Sequence, residues 1–139
     1  MRHFRLSNGI PVVLAPMDGT SVVTSLILFH VGSRYETPRL NGVSHFIEHL
    51  FFKGTERRPT TLDISKELDG IGSEFNAFTS KDYTGYYVKA ALRHVPVVID
   101  ILEDILFHPI FDPKEIDRER NVIIEEINMY EDNPMVVAE

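Results

Sequence analysis

The stretch SHFIEHLFFKGT, residues 44–55, places two imidazoles and a carboxylate within five positions: His45, Glu48 and His49. Residues three and four apart share one face of a helix, so His45 and His49 can aim at a single point with Glu48 beside them. That arrangement suits metal binding. The chain has no cysteine, so a transition-metal site in it must be built from histidine and carboxylate. Catalytic zinc takes three protein ligands and keeps one position open, which leaves this segment one ligand short. The plainer alternative is two histidines beside an acid on a solvated face, because a window of five residues shows this composition by chance. His3, His30, His94 and His108 have no comparable spacing and read as surface or satisfied core residues.

The third ligand has to come from another element. The acids of the last helical segment, Glu119, Glu125, Glu126 and Glu131, are the candidates. At 100° per residue, Ile116, Ile123, Ile127 and Tyr130 form an apolar stripe expected to pack on the core. Glu119 and Glu126 fall along one edge of that stripe, and Glu125 points roughly opposite. The wheel therefore favours Glu126 as ligand and Glu119 as a neighbour able to hold or tune a ligand.

The surrounding pattern supplies elements to carry these residues. FRLSNGIPVVLAP alternates around Asn8-Gly9, a tight-hairpin dipeptide, which predicts two short strands. SVVTSLILFHVGS, residues 21–33, predicts a buried strand closed by Gly32-Ser33. The motif follows Asn41-Gly42, and Val43, Phe46, Ile47 and Leu50 recur at helical spacing, so it sits on a helix. PTTLDISKELDGIG predicts a second helix, with Thr60 and Asp63 as a capping box and Gly70 or Gly72 as its stop. SEFNAF and YTGYYVKAAL predict two strands joined by the polar TSKD. HVPVVIDILEDILF predicts a third helix with Pro96 in its first turn. The fourth starts at Asp112-Pro113 and runs to about Asn133-Pro134. This order implies an α+β domain: a mixed, mainly antiparallel sheet with helices packed on one face.

At 139 residues, 43% of them hydrophobic, the chain is long enough for one domain with a real core. The net charge of −7, with no basic cluster, disfavours nucleic acid and anionic lipid as partners. The most apolar run, Val22–Phe29, is too short to span a bilayer, and the N-terminus has no signal-peptide core, which leads to the expectation of a soluble, cytoplasmic protein. The ending NPMVVAE, with no strand or cap after a long helix, reads as a cut within a larger protein.

The order H-x-x-E-H is the inverzincin signature. With FKGT after it, GSEFNAFTSKDYTGYY in the middle and RERNVIIEEINMYEDNP near the end, the chain resembles the N-terminal catalytic region of the pitrilysin, insulysin and mitochondrial processing peptidase family. The resemblance covers essentially the whole chain. It implies one Zn²⁺ held by His45, His49 and Glu126, with Glu119 functionally important beside them. A zinc ion there lowers the pKa of water and polarises a scissile carbonyl, and Glu48 is implied as the residue that takes the water's proton and passes it to the leaving amine. It also implies an extended peptide added as a strand along EFNAFT, with Phe75, Asn76 and Ala77 at that edge. For Asn76 a local backbone bond is the competing reading, and Phe75, like Phe78, Tyr83, Tyr86 and Tyr87, also suits packing. Gly32-Ser33-Arg34 lines the cleft or simply turns.

Family members are longer, and a second homologous half or partner subunit completes their site. The expectation is therefore a chain that binds zinc, cleaves weakly alone and tends to self-associate through faces meant for the remainder. The alternatives are a non-catalytic scaffold or processing-complex subunit on the same fold, and a plain structural domain with a fortuitous histidine pair.

Overall fold

The structure is a computed structural model and describes residues 1–132; the expected helix end at Asn133-Pro134 and the NPMVVAE ending lie outside the described residues. Strands β1 (Arg2–Arg5) and β2 (Pro11–Leu14) pair antiparallel as a separate two-stranded sheet. Their turn is not the two-residue type that Asn8-Gly9 suggests. Gly9 N–H donates to Leu6 O at 2.9 Å, Leu6 N–H donates to Ile10 O at 2.9 Å, and Gly9 alone takes a positive φ, 89°. This is a three-residue loop with glycine in the left-handed position.

The main sheet contains β3 (Val22–Phe29), β4 (Glu74–Thr79) and β5 (Thr84–Ala91), antiparallel throughout and ordered β3-β5-β4. The buried central strand is β5. The run expected as a buried strand, β3, is an edge strand that alternates: Val22, Leu26 and Leu28 are exposed, whereas Ile27 and Phe29 pack on the core. The reason is topological, since helices cover one face of the sheet and β3 has a single neighbour. An unbroken apolar run therefore still puts half its side chains in solvent.

The core lies between β5 and two helices, α2 (Thr61–Gly70) and α3 (Val95–Phe107). Ile64 and Leu68 of α2 meet Tyr86, Val88 and Ala90 of β5 and Val98, Ile101, Leu102, Ile105 and Leu106 of α3. Helix α2 begins with the expected capping box, in which Thr60 accepts from the Asp63 N–H and Asp63 from the Thr60 N–H, and it ends at Gly70. Pro96 sits in the first turn of α3, where its missing N–H has no intrahelical partner to lose.

Two further helices form the outer layer. Helix α1 (Val43–Leu50) carries the motif and packs on β4, and α4 (Pro113–Glu131) packs on α1. The start of α1 is held from a distance by Glu36, whose carboxylate accepts from the N–H groups of Gly42 (2.6 Å) and Ser44 (2.8 Å). Burial alone would raise the Glu36 pKa, but the bonds from Ser44 and Gly42 hold it below its ordinary value, and its charge complements the helix dipole.

Helix α4 departs from the expected stripe. Ile127 and Tyr130 are about half exposed, at 51% and 49%, while the line facing inward is Ile116, Glu119, Ile123 and Glu126. Because α4 rests on α1 and not on the sheet, its inner face meets histidines as well as apolar groups, and two acids belong there.

The segment between α1 and α2 is tied down by an ion network centred on buried Arg58 and Asp104. Arg58 pairs with Glu67 (2.6 Å), Asp100 (2.6 Å) and Asp104 (2.7 Å), and Arg57 with Asp100, Glu103 and Asp104. The Thr55 hydroxyl donates to Asp104 at 2.6 Å. Asp104 has no solvent exposure, yet both its oxygens are bonded, and among the described residues no buried side-chain nitrogen or oxygen lacks a partner.

Candidate metal centre

His45 and His49 stand one turn apart on α1, with their Nε2 atoms 3.1 Å from each other. From α4, Glu126 Oε2 approaches to 3.7 Å of each of these nitrogens. One ligand atom from each of the three lies within 4.8 Å of the others. Donors held by a tetrahedral ion at about 2.0–2.2 Å stand roughly 3.3–3.6 Å apart, so the triangle needs only small side-chain adjustments to accept zinc. The donor chemistry agrees, because two imidazole nitrogens and a carboxylate oxygen converge on one point and a cation there satisfies all three together.

The orientation of His49 is set from behind. Its Nδ1 lies 2.7 Å from Glu119 Oε1, so the ring donates Nδ1–H to the carboxylate and leaves the Nε2 lone pair facing His45 and Glu126. Glu119 is only 4% exposed, and its second oxygen pairs with Lys53 Nζ at 2.6 Å. Burial would raise the Glu119 pKa, but the Lys53 ammonium and then His49 hold it below its ordinary value. Glu125 is exposed, in keeping with its position on the wheel.

Glu48 lies on the same helix, partly buried, and its Oε2 accepts from the hydroxyl of Thr79, the last residue of β4. A cleft of about 380 Å³ opens beside these groups, lined by Ser33, His45, Thr79, Ser80, Lys81, Glu126 and Tyr130. One wall is a backbone seam, in which Ser33 N–H donates to Ser80 O (3.3 Å) and Arg34 N–H to Lys81 O (2.9 Å), with Arg34 and Asp82 paired outside. Gly32 permits this approach, since a Cβ there would sit 2.2 Å from Ser80 O. Gly32→Ala is therefore expected to cost roughly 1–3 kcal/mol and to displace the turn carrying Thr79 and Ser80. Chemical denaturation of the pair of proteins measures that cost.

Along EFNAFT the side chains alternate between the helix-covered and the exposed face of the sheet. Phe75 turns toward the helices, where its ring centroid lies 6.2 Å from that of Phe52, the packing role that the sequence leaves open. Asn76 points to the exposed face, and its Oδ1 accepts from the Ala77 N–H at 2.9 Å, a local backbone bond. Ala77 faces the helices. Beyond this stretch, Thr79 and Ser80 reach the site. What does suit a peptide is the main chain, because β4 is an edge strand with one side unpaired among the described residues.

Sequence reasoning missed Lys53 and Thr79. Lys53 lies four residues after His49, a spacing that hints at a shared face, although the helix ends at Leu50. Thr79 joins the site only because β4 packs on α1, and no local pattern announces that. Among the described residues no helix is long and apolar enough to cross a membrane.

The family described as Insulinase (Peptidase family M16) matches residues 12–139. The chain is 43% identical over 134 residues to an uncharacterized zinc protease of Bacillus subtilis (strain 168), covering 96% of this chain and 32% of that protein. It is 43% identical over 121 residues to the mitochondrial-processing peptidase subunit beta of Dictyostelium discoideum, covering 87% and 26% respectively. The crystal structure of a protease from Helicobacter pylori superposes with a TM-score of 0.92 at 28% identity, over 98% of this chain and 33% of the other. The chain thus spans about a quarter to a third of the length of these relatives. On the family match and on relatives named as zinc proteases, this chain belongs to the insulinase family of peptidases, M16.

Proposed function

We propose that this chain carries the zinc centre of a metallopeptidase that hydrolyses peptide bonds in extended peptides. The observation that supports this most directly is the convergence of His45, His49 and Glu126 from two helices on one point beside an open cleft. In this reading those three residues hold one Zn²⁺, which supplies Lewis acidity toward the scissile carbonyl and a lowered pKa for water. Glu48 accepts the proton of the attacking water and returns it to the leaving amine. The Thr79 hydroxyl bonds one Glu48 oxygen and leaves the other able to take that proton. Glu119 orients His49. The free side of β4 takes the substrate main chain as an added strand, with the backbone of Phe75, Asn76 and Ala77 as its partner.

The reading extends to a second half or partner subunit. Some relatives are named as the beta subunit of the mitochondrial-processing peptidase, and this chain spans only part of their length. The exposed apolar side chains Val122, Ile124, Ile127 and Met129 on α4 give such a partner, or a second copy of this chain, a surface to cover. By itself the chain is expected to bind zinc and to cleave little, so robust peptidase activity from the pure 139-residue chain would refute that part. A cytoplasmic location, expected from the sequence, stays part of the proposal.

Glu48→Gln tests the catalytic assignment. In a preparation that cleaves an internally quenched peptide, the substitution is expected to keep the zinc and lower turnover by about 10²–10⁴-fold. Unchanged turnover at full zinc content would remove Glu48 from the mechanism.

A further inference from the structure

We infer that Lys53 is a positioning residue for the metal centre: its ammonium clamps the Glu119 carboxylate so that His49 presents a fixed Nε2 lone pair. The inference rests on the zinc reading above and adds to it a cation lying outside the ligand set.

The geometry is a chain of short contacts. Lys53 Nζ is 2.6 Å from Glu119 Oε2, and Glu119 Oε1 is 2.7 Å from His49 Nδ1. Each carboxylate oxygen thus has one charged or polar partner, and neither can turn without losing its own. A carboxylate anchored on one side only could rotate about its terminal torsion, which is broad in glutamate, and release the ring. With both sides engaged, the His49 ring is held in plane and in tautomer.

The lysine itself is held by the fold. Its N–H donates to Leu50 O at 3.0 Å as the chain leaves α1. The next residues are pinned to the α3 side. Ile110 N–H donates to Gly54 O at 3.2 Å, Thr55 forms a bridge with Pro109, and the Thr55 hydroxyl reaches buried Asp104. Arg58, three residues on, is fixed to Glu67, Asp100 and Asp104. With its side chain only 25% exposed, Lys53 differs from a solvated lysine that meets an acid by chance. The ion network therefore has a second consequence beyond stability: it delivers one ammonium to the back of the metal site.

The test uses the full chain and zinc ion alone, with affinity read by competition against a chromophoric chelator. Lys53→Met is expected to weaken zinc binding by about 10–100-fold while staying folded at the assay temperature by circular dichroism, although buried Glu119 loses its ammonium partner and the unfolding midpoint falls. Lys53→Arg, which keeps the charge, is expected to recover most of that affinity. In ¹⁵N-labelled metal-free protein, His49 is expected to show a protonated Nδ1 and a bare Nε2, and this signature should broaden into a tautomer mixture in Lys53→Met. Wild-type zinc affinity in Lys53→Met, or an unchanged His49 tautomer, overturns the inference while leaving the metal reading intact. Failure of the wild-type chain itself to bind zinc removes the metal reading and this inference together, and the two failures are told apart by that control.

Discussion

Glu126→Ala is expected to bind zinc on the order of 10²-fold more weakly than the wild type, whereas Glu125→Ala keeps one zinc per chain. Apparent free energies of about 10–16 kcal/mol for a four-ligand structural zinc site correspond to roughly 3 kcal/mol per ligand, which is about two decades in affinity. The contrast between neighbours carries the force of the experiment, because both changes delete a glutamate from the same turn of α4 and alter helix propensity and net charge equally. Only Glu126 lies within reach of the two imidazoles, at 3.7 Å from each Nε2, while Glu125 is exposed. Elemental analysis after dialysis against a weak chelator gives the stoichiometry, and equal retention of zinc by both variants would sink the three-ligand assignment.

Asp104→Ala is expected to be the most damaging single change to the scaffold, at about 3–5 kcal/mol. Removing one partner of a buried ion pair is costly, and here the loss takes the one fully buried acid from Arg58 and the acceptor from the Thr55 hydroxyl, while Glu67, Asp100 and Glu103 still hold the two arginines from the solvent side. For a domain of this size that corresponds to a fall of roughly 10–15 °C in the unfolding midpoint, measured by circular dichroism. The same network sets a pH dependence. Burial would raise the Asp104 pKa, but the bonds from Thr55, Arg58 and Arg57 hold it below its ordinary 3.8, and Arg58 and Arg57 do the same for Asp100. A carboxylate depressed in the folded state stabilises fully above its unfolded pKa, and that contribution is lost as pH falls through the folded value. Wild-type stability should therefore hold down to about pH 4 and decline below it, with a shallower decline in Asp104→Ala.

Where periodicity and capping chemistry act locally, the sequence was readable. The helix at His45–His49, the Thr60–Asp63 capping box and the hairpin joining β4 to β5 all lie where their patterns put them. The meeting of Glu126 with the histidines follows the helical wheel for α4, yet the wheel misjudged what else lay on that face. It assumed that the helix packs on a greasy core, and Ile127 and Tyr130 turned out half exposed because α4 leans on α1. The burial of β3 failed for a related reason: an apolar run does not say whether its sheet is covered on one face or on both. Lys53 and Thr79 were invisible because each is joined to its partner across a tertiary gap, 31 residues for Thr79 and Glu48.

The two halves of the metal centre lie far apart along the chain, with 70 residues separating His49 from the glutamate that holds its ring. An ion shared by α1 and α4 would therefore act as a staple closing a long loop at the junction where α4 packs on α1. Because such an ion binds only the folded form, free zinc at 100 times its dissociation constant would add about 2.7 kcal/mol to stability. Docking of α4 would then track the metal supply, making the last helix the part of the fold that most directly registers whether zinc is present.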